Sequence, residues 1–357
     1  MKKIIILLLL IPVNCLALSV PSNNAILIDQ DSGRILYSKN INEKRLIAST
    51  TKIMTAIIAI ESGKLDDIVT INKSISKSYG SGIYIKEGEK ITLRELVYGL
   101  LLRSGNDAAL AIEDYLGGHD KFINKMNIKA INIGMKNTHF ENSSGLDESG
   151  EENYSTVYDM AILMKYASNN YDFKEIDSTK KITIKTNKNT YIWNNKNKLL
   201  YSYKYATGGK TGYTKRAKRT LVTSSSKNDI NLIAVTFIDK DDFNTHKKLY
   251  EYGFNNYKRY MILNKNKIKI KGYKNVYIKN NYYYLLKPGE NKSISTKLII
   301  NRKEDKIGYI SVKMGDKEIH KEPVYINKKY RKKRLFDFWH RLVIMLYSLM
   351  ILGWLMW

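Results

Sequence analysis

The chain is poor in the residues that build cross-links and metal sites. Of its 357 residues one is cysteine, Cys15, and five are histidine. Cys15 falls within a predicted leader. The mature chain would then carry no disulfide, no cysteine nucleophile and no thiolate metal site. The histidines are scattered without metal-ligand spacing, so neither a metal nor another cofactor is expected. Acidic residues are scarce as well: 34 Asp and Glu stand against 60 Lys and Arg, a net charge of +26. That imbalance suits an anionic surrounding, such as nucleic acid, lipid head groups or acidic polymer. Nucleic acid is set aside because the chain carries an export signal.

That signal is the charged start Met1-Lys2-Lys3, the apolar run Ile4 to Ile11, and the small-residue stretch Cys15-Leu16-Ala17. It reads as a cleaved leader over residues 1–17. Pro12-Val13-Asn14 lacks the small residue that lipid attachment at Cys15 would need. The 43% apolar content fits a globular protein, and the length allows two domains. At the other end, the basic run 328–334 precedes Leu342 to Trp357, which holds no charge. Sixteen helical residues cover only ~24 Å against a hydrocarbon core of ~30 Å. The segment 328–357 is therefore expected to anchor the chain, as a short span or an interfacial helix. The basic run would lie outside, against the positive-inside tendency, and its binding to anionic lipid from that side would answer the conflict. The expected location is the outer face of the membrane across which the chain is exported.

Between these ends, Ala25–Ile28 and Arg34–Tyr37 flank Asp31-Ser32-Gly33 as a hairpin. Helical periods run over Ser49–Ile60, Thr92–Leu102, Asp107–Leu116, Lys121–Gly134, Ser155–Ala167 and Thr245–Tyr252. Strands are predicted over Thr220–Ser225 and Asn231–Ile238. Strands at both sequence ends with helices between them suggest a sheet closed by its termini, beside a helical cluster. Composition shifts after Met261. Short strands over Lys267–Ile270, Asn275–Ile278, Lys297–Ile300 and Tyr309–Met314 suggest a small all-β domain over 262–327, after a main domain over 18–261.

Three motifs carry chemistry, in one order: Ser49-Thr50-Thr51-Lys52, Ser104-Gly105-Asn106 and Lys210-Thr211-Gly212. Each alone is weak, since S-x-x-K also begins at Ser74, Ser178 and Ser224. Together they describe acyl transfer from a serine. A serine hydroxyl needs a base. Lys52 lies one helical turn after Ser49 and can reach its oxygen if burial or a second cation, such as Lys210, keeps it neutral. Ser104 and Asn106 fall at a junction between helices, where a hydroxyl can relay a proton and an amide can position Lys52 or substrate. The alternative there is a plain N-cap by Asn106. Gly208-Gly209 before Lys210 permits close approach of a peptide to a strand edge, where Lys210 and Thr211 could grip a carboxylate.

The chain resembles the serine-type D-alanyl-D-alanine carboxypeptidases, the low-molecular-mass penicillin-binding proteins. The likeness covers about residues 20–260 and includes Ala48 to Thr55, Tyr98 to Ala109, Gly134 to Phe140, Tyr154-Ser155-Thr156 with Asp159-Met160-Ala161, and Gly209 to Thr214. It implies an α/β (α+β) penicillin-binding-protein/β-lactamase-like transpeptidase fold, with an antiparallel sheet and a helical cluster. It implies that Ser49 forms an acyl-enzyme with the penultimate D-alanine of a peptidoglycan stem peptide. Lys52 would be the base, Ser104 and Asn106 would complete proton transfer and positioning, and Lys210 and Thr211 would bind the terminal carboxylate. Backbone N–H groups of Ser49 and Tyr213, the latter following Gly212, would form the oxyanion hole. β-Lactam antibiotics would acylate Ser49. Ile47, Asn153 and Ala217-Lys218 depart from the usual proline, histidine and Ala-Gly, without touching a catalytic side chain. The rivals are a β-lactamase, which would need a Glu-x-x-Leu-Asn segment absent between Asn106 and Lys210, a cross-link endopeptidase, and a non-catalytic wall-binding protein.

Overall fold

The computed structural model divides into two units between Asn255 and Asn256. Residues 18–147, 150, 152–266, 268, 276–303 and 306–326 are described. The leader, the basic run with its apolar tail, and most of the predicted strand Lys267–Ile270 lie outside them. Among the described residues no helix is long and apolar enough to cross a membrane.

The first unit is built on an antiparallel sheet of β1 (Asn24–Asp29), β2 (Ile35–Lys39), β3 (Ala206–Thr214), β4 (Lys218–Lys227) and β5 (Ile230–Phe237), ordered β2-β1-β5-β4-β3. The N-terminal hairpin thus pairs with a strand more than two hundred residues later, Asn24 opposite Phe237 and Asp29 opposite Leu232. β1 and β5 are buried at every position but Asn231, with apolar centres Ala25–Ile28 and Leu232–Val235, because helices cover both faces. One cover is α8 (Asp242–Asn256), whose Gly253 sits against Leu232 and Leu27. A Cβ there would come within 2.6 Å of Leu232, so glycine lets the helix lie close.

The opposite face carries α1 (Lys52–Glu61), α2 (Leu93–Tyr98), α3 (Asn106–Tyr115), α4 (His119–Ile133), α5 (Val157–Ala167) and α6 (Tyr171–Ser178), with the one-turn α7 (Leu199–Ser202) further along the chain. α5 packs on β1, β4 and β5. α1 is the hub, since every residue but Glu61 is buried and it touches α2, α3, α4, α5 and α6. A helix apolar all round has to be interior. α2 starts at a capping box formed by Thr92 and Glu95, and Thr156 accepts from Asp159 N to start α5.

Three boundaries differ from the sequence reading. Ser49 lies in a 3₁₀ turn, Ala48–Thr51, and the α-helix begins at Lys52. Past Tyr98 the helix widens into one π turn, Gly99–Arg103. Asn106 is the first residue of α3 and Gly105 its cap, so the N-cap alternative for Asn106 does not hold. The hairpin Lys181–Lys185/Thr190–Asn194 and α6 carry weak periodicity and were not expected from sequence.

In the second unit, Lys258–Leu263 pairs with Tyr282–Leu286. A four-stranded sheet runs in the order Val276–Tyr277, Lys317–Ile326, Lys306–Met314, Ile294–Lys303. Leu263, Ile278, Ile307, Ile310, Val312 and Val324 make its core. Its described residues are thus strands and turns, with one 3₁₀ turn at Glu290–Ser293.

Candidate active site

The turn before α1 holds Ser49 half-exposed between buried neighbours. Ile47 O accepts from Thr50 N at 3.2 Å, from Thr50 Oγ1 at 2.6 Å and from Thr220 Oγ1 of β4 at 3.0 Å. Ala48 adopts φ +47°, a backbone state that a non-glycine residue adopts at an energetic penalty of order 1–3 kcal/mol. Gly145 presses on the same point: a Cβ there would lie 1.9 Å from Ala48 O. On the other side, Gly212 of β3 abuts Ser49, and a Cβ would meet Thr220 Oγ1 at 2.3 Å and Ser49 N at 3.1 Å. The third motif therefore ends in glycine because the strand passes directly over the serine turn.

Lys52, first residue of α1, is fully buried, and its ammonium position is saturated. Nζ donates to Ser49 Oγ at 3.1 Å, to Asn106 Oδ1 at 2.7 Å and to Ser144 O at 2.5 Å. An ammonium has three donors, and these are three acceptors. A neutral amine has two N–H bonds and a lone pair. Asn106 and Ser144 can take the two N–H bonds, which leaves the lone pair toward Ser49 O–H. Burial pushes the Lys52 pKa well below the usual lysine range, and the charges of Lys210 and Lys196 push it further down, against Asp107.

The second motif is fixed from two sides. Asn106 N donates to Ser81 O at 2.7 Å, and Asn106 Nδ2 donates to Tyr79 O at 2.6 Å. Asp107 accepts from Ile83 N and Tyr84 N, which ties the 79–84 loop to the start of α3. Because Nδ2 is engaged, Oδ1 must face Lys52. Ser104 is buried at φ +64°, between the π turn and α3. Among the described residues its hydroxyl makes no hydrogen bond, and it stands two positions from Asn106.

β3 is an edge strand of the sheet, so one of its sides is open to an incoming extended peptide. Lys210 is buried, with Nζ donating to Thr211 O at 2.7 Å. Burial first and then the charge of Lys196 lower its pKa, Asp177 opposes the fall, and the result is about 7. Burial likewise raises Asp177 to about 7, against hydrogen bonding from Gly209 and the charge of Lys210. Thr211 and Gly212 are half-exposed, and Tyr213 is exposed.

Ser49, Lys52 and Asn106 are thus joined by hydrogen bonds, Gly212 touches the serine turn, and Lys210 acts on Lys52 through its charge. Ser144, Lys196 and Asp177 were not found by sequence reasoning. Ser144 contributes a carbonyl, which every residue has, and the other two lie outside the motifs. Among the described residues no carboxylate hydrogen-bonds Ser49 or Lys52.

A helix-covered antiparallel sheet with a buried lysine on a serine is the architecture of the penicillin-binding serine peptidases. A family model for peptidase S11, described as D-alanyl-D-alanine carboxypeptidase, matches residues 13–241. The D-alanyl-D-alanine carboxypeptidase DacF of Bacillus subtilis is 32% identical over 346 residues, 90% of this chain and 88% of that protein. Among solved structures, the D-alanyl-D-alanine carboxypeptidase DacD from Francisella tularensis aligns with a TM-score of 0.69 at 25% identity, over 92% of this chain and 96% of its own. The D-alanyl-D-alanine carboxypeptidase of Mycobacterium tuberculosis aligns at 0.64 and 30% identity, over 66% and 92%. The chain belongs to the S11 family of serine D-alanyl-D-alanine carboxypeptidases.

Proposed function

We propose that the chain removes the terminal D-alanine from peptidoglycan stem pentapeptides through an acyl-enzyme on Ser49. The observation that carries this reading is the triple contact of buried Lys52 Nζ with Ser49, Asn106 and Ser144. Neutral Lys52 takes the Ser49 proton as Oγ attacks the carbonyl of the penultimate D-alanine. The oxyanion forms beside the backbone N–H groups of Ser49 and Tyr213. Lys52, now an ammonium, returns the proton through the Ser104 hydroxyl to the leaving amine, and free D-alanine departs. Water then attacks the ester, with Lys52 again as base, and regenerates Ser49. Lys210 and Thr211 hold the terminal carboxylate, and Asn106 orients both Lys52 and the peptide.

The test is D-alanine release from a synthetic pentapeptide, together with labelling by a fluorescent penicillin. The wild type should release D-alanine and retain the label, and Ser49→Ala should do neither. Rapid drug turnover would make the protein a β-lactamase, and failure to label would leave a wall-binding protein. Acylation should rise with pH as Lys52 loses its proton. A rate flat from acid to alkaline pH refutes the lysine base. We also propose that 328–357 holds the exported enzyme at the outer face of the membrane, helped by its positive charge on anionic lipid or wall polymer. Salt-insensitive membrane binding after deletion of Leu335–Trp357 would refute the electrostatic part.

A further inference from the structure

We propose that Asn153 is a positioning residue for the base: with Asn142 it fixes the Ser144 carbonyl on Lys52 and so aims the lysine at Ser49. This rests on the acyl-transfer reading above. Asn153 and Asn142 are both buried. Asn153 uses both ends of its amide. Its Nδ2 donates to Thr51 Oγ1 at 3.0 Å and to Asn142 O at 2.8 Å. Its Oδ1 accepts from Glu141 N at 2.7 Å and from Asn142 N at 3.1 Å. Asn142 Oδ1 in turn accepts from Ser144 N at 3.2 Å and from Gly145 N at 2.6 Å. The two amides therefore shape the 141–145 turn and tie it to Thr51, the neighbour of Lys52.

α1 grips the same turn. Lys52 Nζ donates to Ser144 O, and Thr55 Oγ1, one helical turn on, donates to Ser143 O at 2.7 Å. Gly145, at φ +80° with its Cα against Ala48 O, closes the turn onto the serine segment. One buried turn thus touches residues on both sides of Ser49, and Asn153 adds a third tie, to Thr51 beside the base. Without it the Ser144 carbonyl loses its fixed place. The lysine then keeps one directed N–H acceptor in place of two, and its lone pair is no longer held on the serine hydroxyl. The charged groups acting on Lys52 are Lys210, Lys196 and Asp107, and no side-chain hydrogen bond of Asn153 goes to any of them.

The experiment is the rate of acylation by a fluorescent penicillin from pH 6 to 10, on wild type, Asn153→Ala, Asn153→His and Thr51→Val, each with a thermal melt. If wild type is not labelled, the acyl-transfer reading itself falls. If it is, Asn153→Ala should acylate at least about tenfold more slowly, as a sub-ångström misplacement of a base allows. Its ascending limb should move to lower pH, because a carbonyl acceptor favours the ammonium form. Asn153→His, with one donor and one acceptor nitrogen, should recover part of the rate. If Asn153→Ala does not fold, Thr51→Val, which removes a single acceptor of Asn153, should shift the limb the same way by less. An unchanged rate, a limb that stays or moves up, or a loss confined to the fraction of folded protein overturns the proposal.

Discussion

Replacing Lys210 should make this protein more stable near neutral pH and less active. Lys210 is 1% exposed, and burial lowers its pKa from 10.5 to about 7. Between those values the unfolded chain binds more protons than the folded one. The contribution of this group to stability therefore rises as pH climbs from about 7 to about 10.5 and is unfavourable below. At 1.36 kcal/mol per pKa unit, the full penalty is about 5 kcal/mol at pH well below 7. Lys210→Met removes it. The gain is reduced by the lost hydrogen bond to Thr211 O, about 1 kcal/mol, and by Asp177, which loses its one nearby favourable charge and rises further above its usual carboxylate range. The expected net is a stabilisation of about 2–3 kcal/mol at pH 6. The gain vanishes near pH 10, where the folded wild-type lysine is neutral and its remaining penalty of about 1 kcal/mol is offset by the lost hydrogen bond to Thr211 O. Urea titrations at pH 6, 8 and 10, with D-alanine release in parallel, measure both effects, and release should fall about 100-fold. A stability difference that does not change with pH would refute the argument, because then Lys210 would not be a desolvated cation.

Gly145→Ala should destabilise by about 3 kcal/mol or more, because a Cβ would sit 1.9 Å from Ala48 O at φ +80°. A melting temperature within 1–2 °C of wild type would contradict the close approach. His246 lies buried between Thr223 and Thr236, and burial lowers its pKa from 6.5 to about 3. The unfolded chain binds more protons over that interval, so stability from this group is lost as pH falls from about 6.5 to about 3. His246→Gln should flatten the acid limb of urea midpoints between pH 7 and pH 4, and an unchanged slope would refute it.

How much of this was legible beforehand follows from sequence distance. Ser49 and Lys52 lie one turn apart, and that pairing is local geometry, readable from spacing alone. The apolar period over 53–60 likewise announced α1, though its start was set too early because a 3₁₀ turn and an α-helix share their first residues in pattern. The π turn at Gly99–Arg103 left no mark, since Leu100, Leu101 and Leu102 continue an apolar run whatever the helix pitch. Hairpin Lys181–Lys185/Thr190–Asn194 was hidden by its lysines and threonines, which face solvent on a sheet with one wet side.

The sequence by itself determined the order of the three motifs, the spacing that sets Lys52 one turn from Ser49, and the glycine that lets β3 pass over Ser49. Tertiary structure alone decided whether Lys52 can be a base. Its lowered proton affinity comes from burial and from the charges of Lys210 and Lys196. Its direction comes from Asn106, 54 residues away, and from a carbonyl at Ser144, 92 residues away. A carbonyl has no letter in a sequence, and desolvation is a property of what surrounds a group, so both become visible when the chain is packed.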